Sequence, residues 1–320
     1  MSKIKEIIIN NYKVFGGINI IELSAVTEKP LSIFVGANAS GKSTIADAIQ
    51  WGLGLWPYTD VISTLNIGVA ARLCESDSER ISVELICETL YGIEHFKREV
   101  VVSKEVDTLV NSCEKYYKDG EELSYSQYFD ITDKRFPLLD FQLFVWDEWM
   151  QLNSFPIDIE TRLISKFYDE EGRIDILSLI AQDATEILQR VHSGTGMYEI
   201  KWNSRFRLYR LSDILESYDD MSIDMAFMVN MCILIATVNF LEKCCACSNE
   251  FPLIIDNVAI SSDPRMMSIN KLSEIFFPRQ VLFLVNKRIY NDLDEANKHK
   301  FGKTYLIKND SEICAELIEE

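Results

Sequence analysis

Eight consecutive residues, Gly36-Ala-Asn-Ala-Ser-Gly41-Lys42-Ser43, match the pattern G-x-x-x-x-G-K-[ST]. Each residue type has a reason to stand where it does. Glycines at 36 and 41 let the backbone turn tightly and aim successive N–H groups at phosphate oxygens. A helix starting just after the loop adds the partial positive charge of its N-terminus. Lys42 can reach β and γ phosphates, and the Ser43 hydroxyl can ligate Mg²⁺. The expected ligand is ATP with Mg²⁺, held within residues 36–44 by Gly36, Asn38, Ser40, Gly41, Lys42, Ser43 and Thr44. Such a loop also needs a carboxylate at the end of a separate apolar strand to support the metal. Pro252-Leu-Ile-Ile255-Asp256 supplies it, which makes Ser43 and Asp256 the expected Mg²⁺ residues. Asp263 follows in Ala259-Ile-Ser-Ser-Asp263.

The elements that must position these residues read as α/β. Residues 5–11, 18–23 and 31–35 are β-branched and apolar, so the loop follows a buried-type strand and 43–52 continues it as a helix. Two alternating runs, ISVELICE and HFKREVVV, predict a hairpin or meander over 80–102. From 103 to 135 charge and turn residues rise. Apolar residues at helical spacing predict helix over 158–192, strand character returns at 198–211, and an apolar helix spans 222–243. A strand at 251–255, a helix near 264–277 and a strand at 281–285 complete the alternation expected of a largely buried parallel sheet.

Composition bounds the function. The 320 residues hold 50 Asp+Glu against 32 Lys+Arg, a formal net charge of −18. That excess argues against coating nucleic acid by bulk attraction and leaves room for a local basic groove or a basic protein partner. With 48% apolar and 26% charged residues, the chain has the makings of a sizeable core. No secretory signal is visible, and the uncharged 225–241 run falls short of a membrane span. The eight cysteines are therefore expected as reduced thiols in the cytoplasm, and Cys244-Cys245-Ala246-Cys247 lacks the second pair a zinc site needs.

Taken with the loop, several stretches resemble the ABC-type ATPase heads of the SMC/Rad50/RecF family, which includes ATPases of bacterial DNA repair and phage defence. Ile4 to Phe15 is similar to the family's first strand and N-F-R-x-F turn, with Lys13 where an Arg often contacts phosphate. Gly36-Ala-Asn38 resembles the start of the G-x-N-x-x-G-K-[ST] form. Leu143-Phe-Val-Trp-Asp147-Glu148 looks like the strand and Q-loop, where a polar residue senses Mg²⁺ and the γ phosphate. Asp256 to Asp263 has the Walker B to D-loop spacing, and Gln280 to Asn286 looks like the last strand and its switch residue. The resemblance implies a P-loop NTPase of ABC-head type, with an N-terminal antiparallel β region and a short helical insertion in place of a long coiled coil. Its parts would be an N-terminal lobe (1–157), the insertion (158–197) and a C-terminal lobe (198–320).

Three departures shape the functional expectation. Asn257 stands where the family's catalytic Glu follows the Walker B Asp, and an amide orients water without accepting its proton. Asn286 replaces the switch His. The signature loop, L-S-x-G-[EQ] in the family, is best matched by Met221-Ser222-Ile223-Asp224-Met225, with Ser217-Tyr218-Asp219-Asp220 a weaker match; either way the Gly is lost and an acid sits nearby. The expectation is a nucleotide-binding regulatory or sensor head with weak or conditional hydrolysis. It would work as a homodimer or in a complex with an effector protein, reach nucleic acid through that complex, and not contact membrane. The alternatives are an active DNA-dependent ATPase whose base comes from Asp147, Glu148 or a partner, and a small-molecule kinase. Lys201, Arg205, Arg207 and Arg210 form a possible basic stripe. Phe141, Phe144, Trp146 and Trp149 read as packing beside the Q-loop, and His95, His192 and His299 build no triad.

Overall fold

The computed structural model describes residues 3–24, 29–55, 60–74, 77–105, 108–136, 143–145, 170–192, 198–202, 206–210, 223–244, 252–256, 269–276, 279–311 and 314–319. Strands β1 (Lys3–Tyr12), β2 (Phe15–Glu22), β4 (Ser78–Thr89), β5 (Gly92–Glu105), β6 (Thr108–Lys118) and β7 (Glu121–Leu123) form an antiparallel sheet in the order β2-β1-β4-β5-β6-β7. A second sheet has the order β14-β13-β3-β12-β11-β8. Its members are β3 (Leu31–Gly36), β8 (Leu143–Val145), β11 (Leu253–Asp256), β12 (Val281–Asn286), β13 (Lys303–Ser311) and β14 (Cys314–Glu319). All its pairings are parallel except β13 with β14.

The parallel sheet is covered on both faces, which explains its unbroken apolar runs. Leu31, Ile33 and Val35 of β3, with Val281, Phe283 and Val285 of β12, join one core cluster; Phe34, Leu282 and Leu284 join the other. The first cluster is closed by the helices Glu170–Val191 and Ile223–Cys244 and by the hairpin of β9 (Tyr198–Trp202) and β10 (Phe206–Arg210). The second lies between the sheet, the helix Lys42–Gly52 and the inner face of the antiparallel sheet. Helix Ile223–Cys244 is uncharged from 225 to 241 because that stretch is enclosed: Phe227, Val229, Met231, Cys232 and Ala236 are fully buried. No helix among the described residues is long and apolar enough to cross a membrane. The two longest helices run 22 residues each, so the described residues contain no long coiled coil.

One buried side chain joins the two sheets. Gln280, just before β12, accepts from the Ile4 N–H at 2.9 Å and donates to the carbonyls of Ile4 (2.7 Å) and Ser24 (3.0 Å). Arg98 is fully buried on the inner face of β5. It pairs with Glu114, donates to the Trp51 carbonyl at 3.1 Å and lies 4.5 Å from the centre of the Trp51 ring. It thereby ties the end of helix Lys42–Gly52 to the antiparallel sheet.

The stretch from 103 to 135, where charge and turn residues rise, carries regular elements. It contains the end of β5, then β6, β7 and the helix Tyr125–Arg135. The charged residues of β6, Glu114, Lys115 and Lys118, are themselves register partners of β5, and Ser124 starts the helix with a capping box closed by Gln127. The C-terminal strands β13 and β14 were not anticipated; β13 takes the place beside β3. Residues 158–169 and 193–197 of the expected insertion lie outside the described residues, and its described part is the helix Glu170–Val191 with residue 192.

Candidate nucleotide site

The loop leaves β3 at Gly36 and enters helix Lys42–Gly52. Gly36 is the register partner of Asn286 on β12 and of Ile307 on β13. Asp256, the last residue of β11, faces Leu284 on one side and Val145 on the other. The carboxyl ends of four parallel strands thus meet at the loop, the place where open α/β sheets hold ligands.

Two glycines have a steric requirement. A Cβ at Gly36 would come closer than 3.0 Å to Ser40 Oγ and within 3.3 Å of the Ile307 carbonyl. Gly41 has φ +104°, and a Cβ there would come closer than 3.0 Å to the Val14 side chain. The loop is therefore pressed against the β1–β2 turn and cannot carry side chains at either glycine without shifting. Ser40 Oγ is buried and has no hydrogen-bond partner among the described residues. A buried hydroxyl in that condition, beside Gly36 at the start of the loop, suits a site built to receive phosphate oxygens.

The Lys42 ammonium lies over the loop, donating to the carbonyls of Gly36 at 3.1 Å and Ala37 at 2.7 Å. Burial pushes its pKa down, and the nearby Asp256 carboxylate partly offsets this. Ser43 Oγ donates to Asp256 Oδ2 at 2.5 Å, across 213 residues of sequence. Asp256 is 8% exposed. A hydroxyl and a carboxylate in contact form a hard oxygen set of the kind Mg²⁺ takes, with water and phosphate completing the shell. Thr44, on the first turn of the helix, is buried, and its N–H bonds the Gly41 carbonyl at 3.1 Å. Asn286 Nδ2 donates to Asn38 Oδ1 at 2.8 Å while its own Oδ1 caps helix Lys287–Asn291 through the Arg288 N–H at 2.9 Å. The residue expected in the switch position therefore touches the loop, held at both ends by hydrogen bonds.

Lys13 sits in the β1–β2 turn with φ +49°. Its N–H bonds the Thr64 carbonyl at 2.7 Å, and its carbonyl accepts from Asn66 Nδ2 at 2.8 Å. Its ammonium pairs with Asp47 at 2.5 Å. Asp47 lies one helical turn after Ser43, on the same face. Sequence reading missed Asp47; its signal was the i+4 spacing from Ser43. The framing residues Thr64 and Asn66 carried no signal of their own.

Asp147, Ser222, Asn257 and Asp263 lie outside the described residues, as do Glu148, Arg205, Phe141, Trp146 and Trp149. In the hairpin, Lys201 is directly opposite Arg207, and Glu199 shares that face and pairs with Lys201 at 3.1 Å, while Arg210 is opposite Tyr198. The basic stripe is thus broken by an acid. His95 bonds Glu84, His192 meets the Tyr198 ring edge-on with its pKa pushed down by burial and by Lys271, and no group of three or more His, Cys, Asp or Glu among the described residues could hold a metal.

Known proteins agree with this architecture. The family model described as an AAA domain matches residues 6–191, more than half of the chain. The fold is similar to an SMC head bound to the C-winged helix domain of ScpA, with TM-score 0.64, 14% identity, and coverage of 99% of this chain and 98% of that one. It is similar to the SMC head domain from Thermotoga maritima, with TM-score 0.61, 13% identity and 99% coverage of each chain. It also resembles the recombination mediator RecF bound to ATP, with TM-score 0.52, 11% identity and 99% coverage of each chain. No curated protein matches at a significant level. The loop, the strand ends gathered round it and the matched segment lead to one assignment: the chain belongs to the AAA domain family and has the fold of an SMC/RecF-type ATPase head.

Proposed function

We propose that this chain binds ATP·Mg²⁺ at residues 36–44 and Asp256 and uses the bound state to regulate a partner protein. The carrying observation is the convergence at one loop of Lys42, the Ser43–Asp256 pair and the Asn38–Asn286 bond. Loop N–H groups and Lys42 would bind phosphate oxygens and Ser43 and Asp256 would hold the metal, while the Lys13 ammonium at the rim is already paired with Asp47. A Mg²⁺ held by Ser43 and Asp256 would supply positive charge to offset that of the phosphate oxygens.

Hydrolysis is proposed to be weak or partner-dependent. Asn257 follows Asp256, Asn286 is an amide bonded to Asn38, and residues 217–225 contain no glycine. An amide cannot take the proton of an attacking water. The proposed role is a sensor subunit in bacterial DNA repair or phage defence, acting as a homodimer or with an effector, with 158–197 as a short insertion. An SMC head that carries a winged-helix domain of ScpA is a precedent for protein output from this fold. The test is steady-state ATP turnover by the purified chain. Turnover far below about 1 s⁻¹, the low end of typical enzymes, is expected. Turnover at or above that value without a partner contradicts the weak-hydrolysis reading. A second reading, an active ATPase using Asp147 or Glu148, has one observation in its favour: Val145 is the register partner of Asp256. It predicts DNA-stimulated turnover that Asp147→Asn or Glu148→Gln abolishes.

A further inference from the structure

A cavity of about 270 Å³ lies where three helices meet beside the amino end of β12. Its walls come from the last turns of helix Glu170–Val191, the second half of helix Ile223–Cys244, the end of helix Ile269–Phe276, and Arg279, two residues before β12. The nucleotide loop meets the other end of the same strand, where Asn286 bonds Asn38. Cavity and loop are therefore separate sites, and neither depends on the other.

Ile187, Val191, Ile235 and Ile275 give the cavity aliphatic walls. Set among them are two cations and two anions, Arg190, Arg279, Glu242 and Glu274. Arg279 and Glu242 are committed to each other. Arg279 is 5% exposed, and its Nη2 donates to Glu242 Oε2 at 2.7 Å and to Asn239 Oδ1 at 3.3 Å. Arg190 and Glu274 differ. Arg190 Nε reaches the Glu186 carbonyl of its own helix at 3.4 Å, and neither Arg190 nor Glu274 makes an ion pair among the described residues. The other cations nearby do not line the cavity: Lys243 is bridged to Asp183 at 3.7 Å, and Lys271 acts on His192.

These features select a ligand. The volume falls below the roughly 300–1,000 Å³ of pockets for drug-sized molecules, so the occupant is smaller than those. A net anion would face two carboxylates, and a net cation two guanidiniums. A hydrocarbon would cover Arg190 and Glu274 without satisfying either. A peptide end carries one of the two complementary charges at its last residue. A small molecule that carries both, beside an aliphatic group, matches the walls in charge and in polarity. We propose that this cavity binds a free α-amino acid with an aliphatic side chain. Its carboxylate meets Arg190, its ammonium meets Glu274, and its side chain packs on Ile187, Val191, Ile235 and Ile275.

The test is isothermal titration calorimetry of the full chain with leucine, isoleucine, valine and methionine, and with two half-molecules of leucine, 4-methylpentanoate and isopentylamine. At least one of the amino acids is expected to bind saturably at one site per chain. Each half-molecule loses one charge-assisted contact and is expected to bind about tenfold or more weakly than leucine. Arg190→Gln and Glu274→Gln alter exposed side chains, so each is expected to keep the melting temperature of the free chain and to weaken amino-acid binding by about tenfold or more. No saturable binding by any of the four amino acids overturns the proposal. Equal binding of 4-methylpentanoate or isopentylamine and leucine overturns the zwitterion, and undiminished binding to both variants places the ligand elsewhere and overturns the site.

Discussion

Gly41→Ala probes how tightly the phosphate loop is pressed against the β1–β2 turn. Two separate costs are written into the geometry. At φ +104° an alanine is strained, which costs about 1–3 kcal/mol. Its Cβ would also lie closer than 3.0 Å to the Val14 side chain, and overpacking of that kind adds about 1–3 kcal/mol. Val14 has little room to retreat, because its carbonyl accepts from the Ala315 N–H at 2.9 Å and the preceding Lys13 N–H is bonded to Thr64. The sum is a loss of about 2–6 kcal/mol. The two parts are separable. Val14→Ala removes the methyls that clash and leaves the backbone strain untouched. In a double-mutant cycle read by urea denaturation, Gly41→Ala/Val14→Ala is expected to recover about 1–3 kcal/mol of the loss, as a favourable coupling. Additive behaviour within experimental error would refute the contact between loop and turn. A stability loss below about 1 kcal/mol for Gly41→Ala would refute the strain as well.

Other expectations follow from single groups. Gln280→Leu keeps the bulk but strips partners from one buried N–H and two carbonyls at the sheet junction, a cost of about 3–5 kcal/mol measurable by urea or thermal unfolding. Glu94 is 3% exposed; burial raises its pKa, but hydrogen bonds from Arg135, Thr89 and Lys118 outweigh that and hold it below the ordinary glutamate range. Its folded pKa is depressed, so its contribution is fully present above the unfolded-state pKa and is lost as pH falls through the folded one. Glu94→Gln is accordingly expected to lower stability at neutral pH, with the difference from wild type shrinking in acid; a constant difference down to acid pH would contradict this.

Much of the site was legible because its chemistry is local. Gly36 to Ser43 is one uninterrupted run, and a strand ending in Asp256 is a recognisable partner for it. The structure adds what no local pattern holds: Ser43 meeting Asp256, Asn286 meeting Asn38, and Lys13 occupied by Asp47. The buried sheet was visible for the same reason, since Leu31–Gly36 and Val281–Asn286 are enclosed on both faces and so are apolar except for Ser32 and the terminal Asn286. The stretch 103–135 was harder. β6 mixes Asn, Glu and Lys into a strand whose outer face is solvated, and helix Tyr125–Arg135 buries only Tyr128 and Thr132. Polar composition there reflects half-exposed elements rather than loops. β13 and β14 escaped notice because the polar stretch Lys308–Ser311 masks the pairing of Tyr305 to Ile307 with Ile318 and its neighbours. Gln280 shows the opposite limit: a single amide carries the sheet junction, and nothing in its neighbours' spacing marks it.

The central claim is that this loop holds ATP through a metal shared by Ser43 and Asp256. Isothermal titration calorimetry with ATP, with and without Mg²⁺, tests it most directly on wild type, Lys42→Met and Asp256→Asn. Loss of the Lys42 ammonium removes charge-assisted bonds of about 1.5–3 kcal/mol, so its affinity should fall about tenfold or more. Asp256→Asn should selectively erase the gain that Mg²⁺ gives the wild type. Equal ATP affinity in all three proteins, or a Mg²⁺ effect that survives in Asp256→Asn, would contradict the account.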